Sequence, residues 1–260
     1  MSRFPAVFVS HGAPTMIIER APVREFLSGY GGTLGRPAAI LVISAHWDTD
    51  APAVSVAPQP ETIYDFYGFP QELYRLRYAA PGAPALAGRV AELLASAGLP
   101  AALDAARGLD HGAWVPLKLM YPEADIPVTQ LAIQGRLGPA HHYRVGQALA
   151  PLRDEGVLLL GSGGVTHNLS HFRRYAANDA APEWVTQFRD WVAGALAAGR
   201  DEELIDYRRR APHAADNHPT EDHFLPLFAA LGARSAGVTG QRVHASETYG
   251  VLAMDAYRFD

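Results

Sequence analysis

Not one cysteine occurs among the 260 residues. Disulfide cross-links are therefore impossible, and a bound metal can draw only on nitrogen and oxygen donors. Long apolar runs are equally absent, since no stretch approaches the roughly 20 residues that span a bilayer. The apolar segment Ala6-Val7-Phe8-Val9, close behind Met1, is too short for the hydrophobic region of a signal peptide. A basic excess is missing too. The 22 Lys and Arg against 27 Asp and Glu give a formal net charge of -5, so no global field draws the chain to nucleic acid or an anionic membrane. The cluster Arg208, Arg209 and Arg210 reads as a solvated helix face. Nucleic-acid and membrane partners are not expected, and the expected location is the cytoplasm.

What is present is globular in character: 48% of residues are hydrophobic and 19% charged. The length fits one large α/β domain about as well as two small ones. Short apolar runs rich in β-branched residues recur at 6–10, 39–44, 53–57, 126–133 and 157–160. Such nearly continuous apolar strands suit a sheet buried on both faces. Helical spacing lies between them. In 84–97 the residues Leu86, Val90, Leu93 and Leu94 share one face before Gly98 ends the run. Segments 140–155, 182–198 and 223–231 read similarly, with Asn178 or Asp179 near the start of the second, and the tail 250–259 reads as a strand. The alternation predicts an α/β sheet with helices on both faces.

Segment 59–70, QPETIYDFYGFP, fits neither period and crowds Tyr64, Phe66, Tyr67 and Phe69 together. A long aromatic segment of this kind either packs over the core or closes over a pocket, which makes Tyr64 and Phe66 candidate substrate contacts.

Eleven histidines stand against four methionines, and their placement is informative. The first strand runs into Ser10-His11-Gly12, the second into Ser44-Ala45-His46-Trp47, and the fifth into Gly161-Ser162-Gly163-Gly164-Val165-Thr166-His167. Open α/β sheets bind ligands beyond the carboxyl ends of their strands. One histidine at a strand end is commonly a hydrogen-bonded structural residue, but three unpaired imidazoles in one crevice would be costly without a ligand. Glycines 12, 161, 163 and 164 are expected to let the backbone turn sharply there. His111, in a loop before an apolar segment, and His223, opening a helix, are further candidates, whereas His141 and His142 read as surface or cap residues and His213, His218 and His244 as weaker still. His167 and His171 have the spacing of a zinc-protease helix, but Asn168 stands where its glutamate would be. The glycine-rich segment matches neither a phosphate loop nor a hydrolase elbow.

The stretches SHGAP (10–14), SAHWDT (44–49), YDFYGFPQELY (64–74), DHGAWVPLKLMYP (110–122), GSGGVTHNL (161–169) and PTEDHFLPLF (219–228) together resemble the DOPA-dioxygenase-type extradiol ring-cleavage enzymes of the class III extradiol superfamily. The resemblance covers nearly the whole chain. It implies a single α/β domain over residues 1–260, with a central mixed, mostly parallel sheet flanked by helices on both faces, and one divalent metal, Fe²⁺ for oxygen chemistry or Zn²⁺ in a purified sample. By position, His11 and His46 match the first two ligands and His223 the third, which replaces a glutamate of the broader superfamily. Glu221 and Asp222 stand beside it as further oxygen donors. His167 matches a residue acting as catalytic base or additional zinc ligand, and His111 a second active-site histidine serving oxygen or substrate protons. The implied reaction opens a small aromatic diol, such as DOPA or another catechol, with O₂ to give a semialdehyde acid. Two rival readings stand beside it: a zinc hydrolase that activates water, and a non-catalytic metal-binding member of the fold.

Overall fold

The computed structural model describes residues 3–260. Its centre is an eight-stranded sheet of β1 (Ala6–Ser10), β2 (Ala39–Asp48), β3 (Ala53–Ser55), β4 (Ala102–Asp104), β5 (Val128–Ile133), β6 (Val157–Gly163), β7 (Gln241–His244) and β10 (Ala256–Phe259). The short strands β8 (Glu247–Thr248) and β9 (Leu252–Ala253) pair separately. The order across the large sheet is β4-β3-β5-β2-β6-β1-β10-β7. Its middle, β5-β2-β6-β1, is wholly parallel, and antiparallel pairs occur at β3–β5, β1–β10 and β10–β7. The expected mixed, mostly parallel sheet is what forms.

Alternation along the central strands divides the core. Phe8, Leu41, Ile43 and Leu159 face one apolar layer, while Val7, Val9, Ile40, Val42, Leu158 and Leu160 face the other. The first layer is closed by α2 (Pro84–Ser96), α4 (Gly138–Leu149), α5 (Glu183–Ala197) and α9 (Leu225–Gly232). The second is closed by α1 (Pro22–Leu34), α3 (His111–Met120) and the aromatic segment around Phe66. Three short helices, α6 (Asp201–Ile205), α7 (Tyr207–Arg210) and α8 (Ala214–Asn217), lead towards α9. Arg208, Arg209 and Arg210 are exposed on α7, as read from the sequence.

Several boundaries differ from expectation for local reasons. The helix expected over 140–155 ends at Leu149 and tightens into a 3-10 turn over Ala150–Arg153, with Pro151 inside it. Pro182, rather than Asn178 or Asp179, takes the extended cap position of α5. The helix expected from 223 begins at Leu225, leaving His223 in the preceding turn. The tail is broken into β9 and β10 by Met254 and Asp255. Helices α1 and α3 carry weak local signals, because α1 holds Gly29, Gly31 and Gly32 and α3 holds Gly112 and Pro116. Gly31 is needed where it stands: a Cβ there would lie 2.0 Å from the Met120 carbonyl oxygen of the neighbouring helix.

His142 also departs from expectation. It is buried rather than a surface or cap residue. Its Nδ1–H donates to the Gly138 carbonyl at 2.8 Å, and its Nε2 accepts the Gln134 backbone N–H at 3.1 Å. A charged ring could not accept that bond. Burial pushes its pKa down to about 4, against a smaller opposing effect of the Gly138 bond.

Candidate metal centre

The carboxyl ends of β1, β6 and β2 lie side by side, with Ser10 opposite Gly163 and Ser44 opposite Ser162. His11 follows β1 directly. His46 lies near the end of β2, where pairing with β5 shifts register between Ile43 and Asp48, as happens where a strand re-aims its side chains. His111 is the first residue of α3, not part of a loop, and the helix is capped by Asp110, whose carboxylate accepts the Ala113 backbone N–H at 3.1 Å. Asp110 also receives bonds from Ser44, Gln130 and Arg107, so one buried carboxylate joins β2, β5 and α3.

Three imidazoles converge. His46 Nε2 lies 2.9 Å from His11 Nε2 and 3.3 Å from His223 Nε2. The opposite ring nitrogens have their own partners. Ser162 Oγ donates to the Gly112 carbonyl at 2.5 Å, so it accepts from His11 Nδ1–H, 3.0 Å away. His223 Nδ1–H donates to the Asp222 carboxylate, and His46 Nδ1 lies 3.4 Å from Asp65 Oδ2. With Nδ1 carrying the proton, each Nε2 directs a lone pair at the others. Three lone pairs so close repel unless a cation lies among them. Metal–nitrogen bonds of about 2.0–2.1 Å place neighbouring ligand atoms about 2.9–3.4 Å apart, and the spacings of 2.9 and 3.3 Å are of that size. The donor set fits a single divalent ion, and its ring partners are those that orient metal-bound histidines.

Electrostatics agree. Burial, with the neighbouring imidazoles adding to it, pushes His11 and His223 well below the ordinary histidine pKa. Burial is likewise the main cause holding His46 at about 4, opposed in part by Asp110 and Asp65. All three rings are therefore neutral donors at neutral pH. Burial alone would raise the Asp65 carboxyl, but bonds and charge from His111 outweigh it and hold it at about 2. Asp222 behaves in the same way, held well below the usual carboxylate range chiefly by its bond with His223.

His46 and His223 border a cavity of about 590 Å³, and His11 is buried behind them. Its remaining polar wall is His111, His167 and Ser170, and its apolar wall includes Phe66, Phe69, Phe172, Leu169 and Leu252. His167 stacks on His223 with centroids 3.4 Å apart and planes 6° from parallel. Burial, the largest influence, holds His167 at about 4, with Asp222 opposing and His111 assisting. His111 Nδ1 lies 3.0 Å from Asp65 Oδ1, and its ring centroid 4.0 Å from that of His46.

All five histidines singled out in the sequence are thus brought together, and Phe66 lines the cavity with His46, His111, His167 and His223. Tyr64 does not. Its hydroxyl donates to the Leu76 carbonyl at 2.7 Å, and its ring meets Phe66 edge-on at 6.1 Å. Asp222 turns towards His223 Nδ1, on the side of the ring away from the converging nitrogens. The glycines do a different job from the one expected. Of the four, only Gly12 has a positive φ, +54°, whereas Gly163 provides room: a Cβ there would lie 2.1 Å from the His223 carbonyl oxygen. Gly112 has the same duty, since its Cβ would meet His46 Cδ2 at 2.9 Å and His11 Cε1 at 3.1 Å. Sequence reasoning missed Asp65, Ser162 and Gly112. The one available signal was a lone carboxylate inside an aromatic run. His218, one of the weaker candidates, is buried away from the cavity, bonded through Nε2 to the Val165 carbonyl at 2.8 Å and stacked on Phe224.

Comparison with known proteins identifies the family. Residues 5–257 match the family described as the catalytic LigB subunit of aromatic ring-opening dioxygenase. The chain is 47% identical over 256 residues to a 4,5-DOPA dioxygenase extradiol of Beta vulgaris, covering 97% of this chain and 95% of that protein. It is 44% identical over 236 residues to a protein of the same name from Escherichia coli K12, covering 89% and 86%. A crystal structure of an uncharacterized Escherichia coli K12 protein superposes with a TM-score of 0.83 at 36% identity, covering 99% of this chain and 100% of the other. A family match over nearly every residue, a shared α/β fold and convergent imidazoles lead to one conclusion: the chain belongs to the LigB family of aromatic ring-opening dioxygenases.

Proposed function

We propose that this enzyme cleaves the ring of a catechol beside its diol, using O₂ and one divalent ion held by His11, His46 and His223, to give a semialdehyde acid. The observation that carries the reading is the convergence of three lone-pair-bearing nitrogens, two of them on residues that line an apolar cavity large enough for one aromatic ring. The relatives named for 4,5-DOPA cleavage make DOPA a first substrate to try.

Fe²⁺ held by His11, His46 and His223 would supply the electron path between ring and oxygen, whereas Zn²⁺ on the same nitrogens would offer no accessible redox step. The protein's own contributions follow from its geometry. His167, neutral because burial holds it at about 4, accepts a proton from a catechol hydroxyl. His111, oriented by Asp65 and lining the same cavity, returns a proton on the oxygen side. Phe66 and Phe69 seat the ring and exclude water, with Tyr64 bracing Phe66 from outside the cavity. Asp222 behind His223 brings a negative charge near a centre whose direct donors are all neutral, a charge that a ligand carboxylate supplies directly in many non-haem iron sites.

The test is anaerobic reconstitution with Fe²⁺ followed by oxygen-electrode recording on a panel of catechols that includes DOPA. One O₂ consumed per ring opened supports the reading. Oxygen-independent hydrolysis of an ester or amide, with no O₂ uptake on any catechol, replaces it with the hydrolase alternative.

A further inference from the structure

Asp65 lies in the aromatic segment between Tyr64 and Phe66, outside any helix or strand. The residue as a whole is exposed, yet its side chain is only 23% exposed because the carboxylate turns inward. One oxygen, Oδ1, accepts the His111 backbone N–H at 2.9 Å and lies 3.0 Å from His111 Nδ1. The other, Oδ2, lies 3.4 Å from His46 Nδ1. The next residue, Phe66, forms part of the cavity wall, and its ring stands perpendicular to His111 at 5.7 Å. A single short stretch therefore touches a metal-facing histidine, the second active-site histidine and the seat of the aromatic ring.

We propose that Asp65 is a positioning residue: its carboxylate fixes the orientation of His46 and His111 together and ties both to the wall on which the substrate ring rests. The proposal rests on the functional reading above for its effect on turnover, but not for its effect on metal binding. A carboxylate facing His46 Nδ1 keeps the proton on that nitrogen and leaves the Nε2 lone pair for the ion. The same group, anchored to the first backbone N–H of α3, holds the His111 ring against His46. Asp65 does not act as a metal ligand in this arrangement. Its oxygens meet Nδ1 atoms, while His46 Nε2 already points to His11 and His223.

The decisive comparison is between the full chain and Asp65→Asn, titrated with Co²⁺ and followed by visible absorption. The amide keeps the volume of the side chain but removes one acceptor oxygen and the charge. Co²⁺ affinity is expected to fall roughly 10–100-fold with a changed band envelope. At saturating Fe²⁺, kcat for a catechol falls by a similar factor while KM stays near the wild-type value. Glu61→Gln, an exposed change on the same segment, alters none of these. Unchanged Co²⁺ affinity and bands in Asp65→Asn overturn the proposal. Because Co²⁺ binding is read without substrate, a wild-type chain that opens no catechol sinks the functional reading and leaves this comparison standing. Should the variant fail to fold, the zinc-loaded wild type decides by NMR. A slowly exchanging, downfield Nδ1 proton on His46 supports the proposal, and a freely exchanging one overturns it.

Discussion

At the scale of single residues, the proposed function separates side chains that would hold the ion from side chains that would act on the substrate. His11, His46 and His223 contribute the converging nitrogens, so replacing any one with Ala should weaken metal binding by more than the roughly 10–100-fold typical of losing a supporting partner. His167 differs, since its ring stacks on His223 and it groups with Asp222 and His223 rather than with His11 and His46. His167→Ala should keep the ion, as read by metal analysis, and lose about 10²–10⁴-fold in kcat. Equal metal loss in both sets would erase the distinction. These histidines were legible in the sequence because each follows an apolar run or opens a helical one, and strand ends in parallel sheets face a common crevice. Asp65 was not. Its carboxylate matters through what lies 46 and 19 positions away in sequence, and no local pattern encodes that.

At the scale of elements, the parallel strands and amphipathic helices could be read from their periods, whereas close packing could not. Helix α1 looks like a poor helix until its neighbour α3 is placed, when Gly31 becomes the only residue small enough for the contact. The same principle governs the end of β6. Gly163→Ala puts a methyl 2.1 Å from the His223 carbonyl oxygen, backbone that cannot swing aside. The expected outcome is a loss of about 1–3 kcal/mol in denaturant unfolding together with weakened metal binding, because the turn bearing His223 must move. Retained metal affinity would show that the turn yields elsewhere. The aromatic segment makes a separate prediction. Phe66→Ala should raise KM for a catechol roughly tenfold, the loss of about 1–2 kcal/mol of apolar contact, with little change in kcat. An unchanged KM would remove Phe66 from the substrate seat.

At the scale of the whole molecule, opposing titrations shape stability. Burial raises the Asp255 carboxyl to about 6 against the pull of Arg189 and Arg242, and Asp255 is fully buried beside the end of β1. The folded chain therefore binds this proton more tightly than the unfolded chain, and stability from this group is lost as pH rises from about 4 to about 6. His142 and His167, both lowered to about 4, work in the other direction: stability is lost as pH falls from 6.5 towards 4. Asp255→Asn should leave only the second slope. In the metal-free chain, its unfolding free energy should rise with pH more steeply than that of the wild type, by up to about 3 kcal/mol across this window. Parallel curves would mean that Arg189 and Arg242 already compensate the buried charge. The global fold also creates the centre itself, since residues 11, 46 and 223 meet only when β1, β2 and the turn before α9 are packed against β6. The most direct measurement is an anomalous-difference map from crystals of the zinc-loaded chain. The account predicts one peak about 2.0–2.1 Å from Nε2 of His11, His46 and His223. A peak among His46, Asp65 and His111 instead, or none near the three Nε2 atoms, would contradict it.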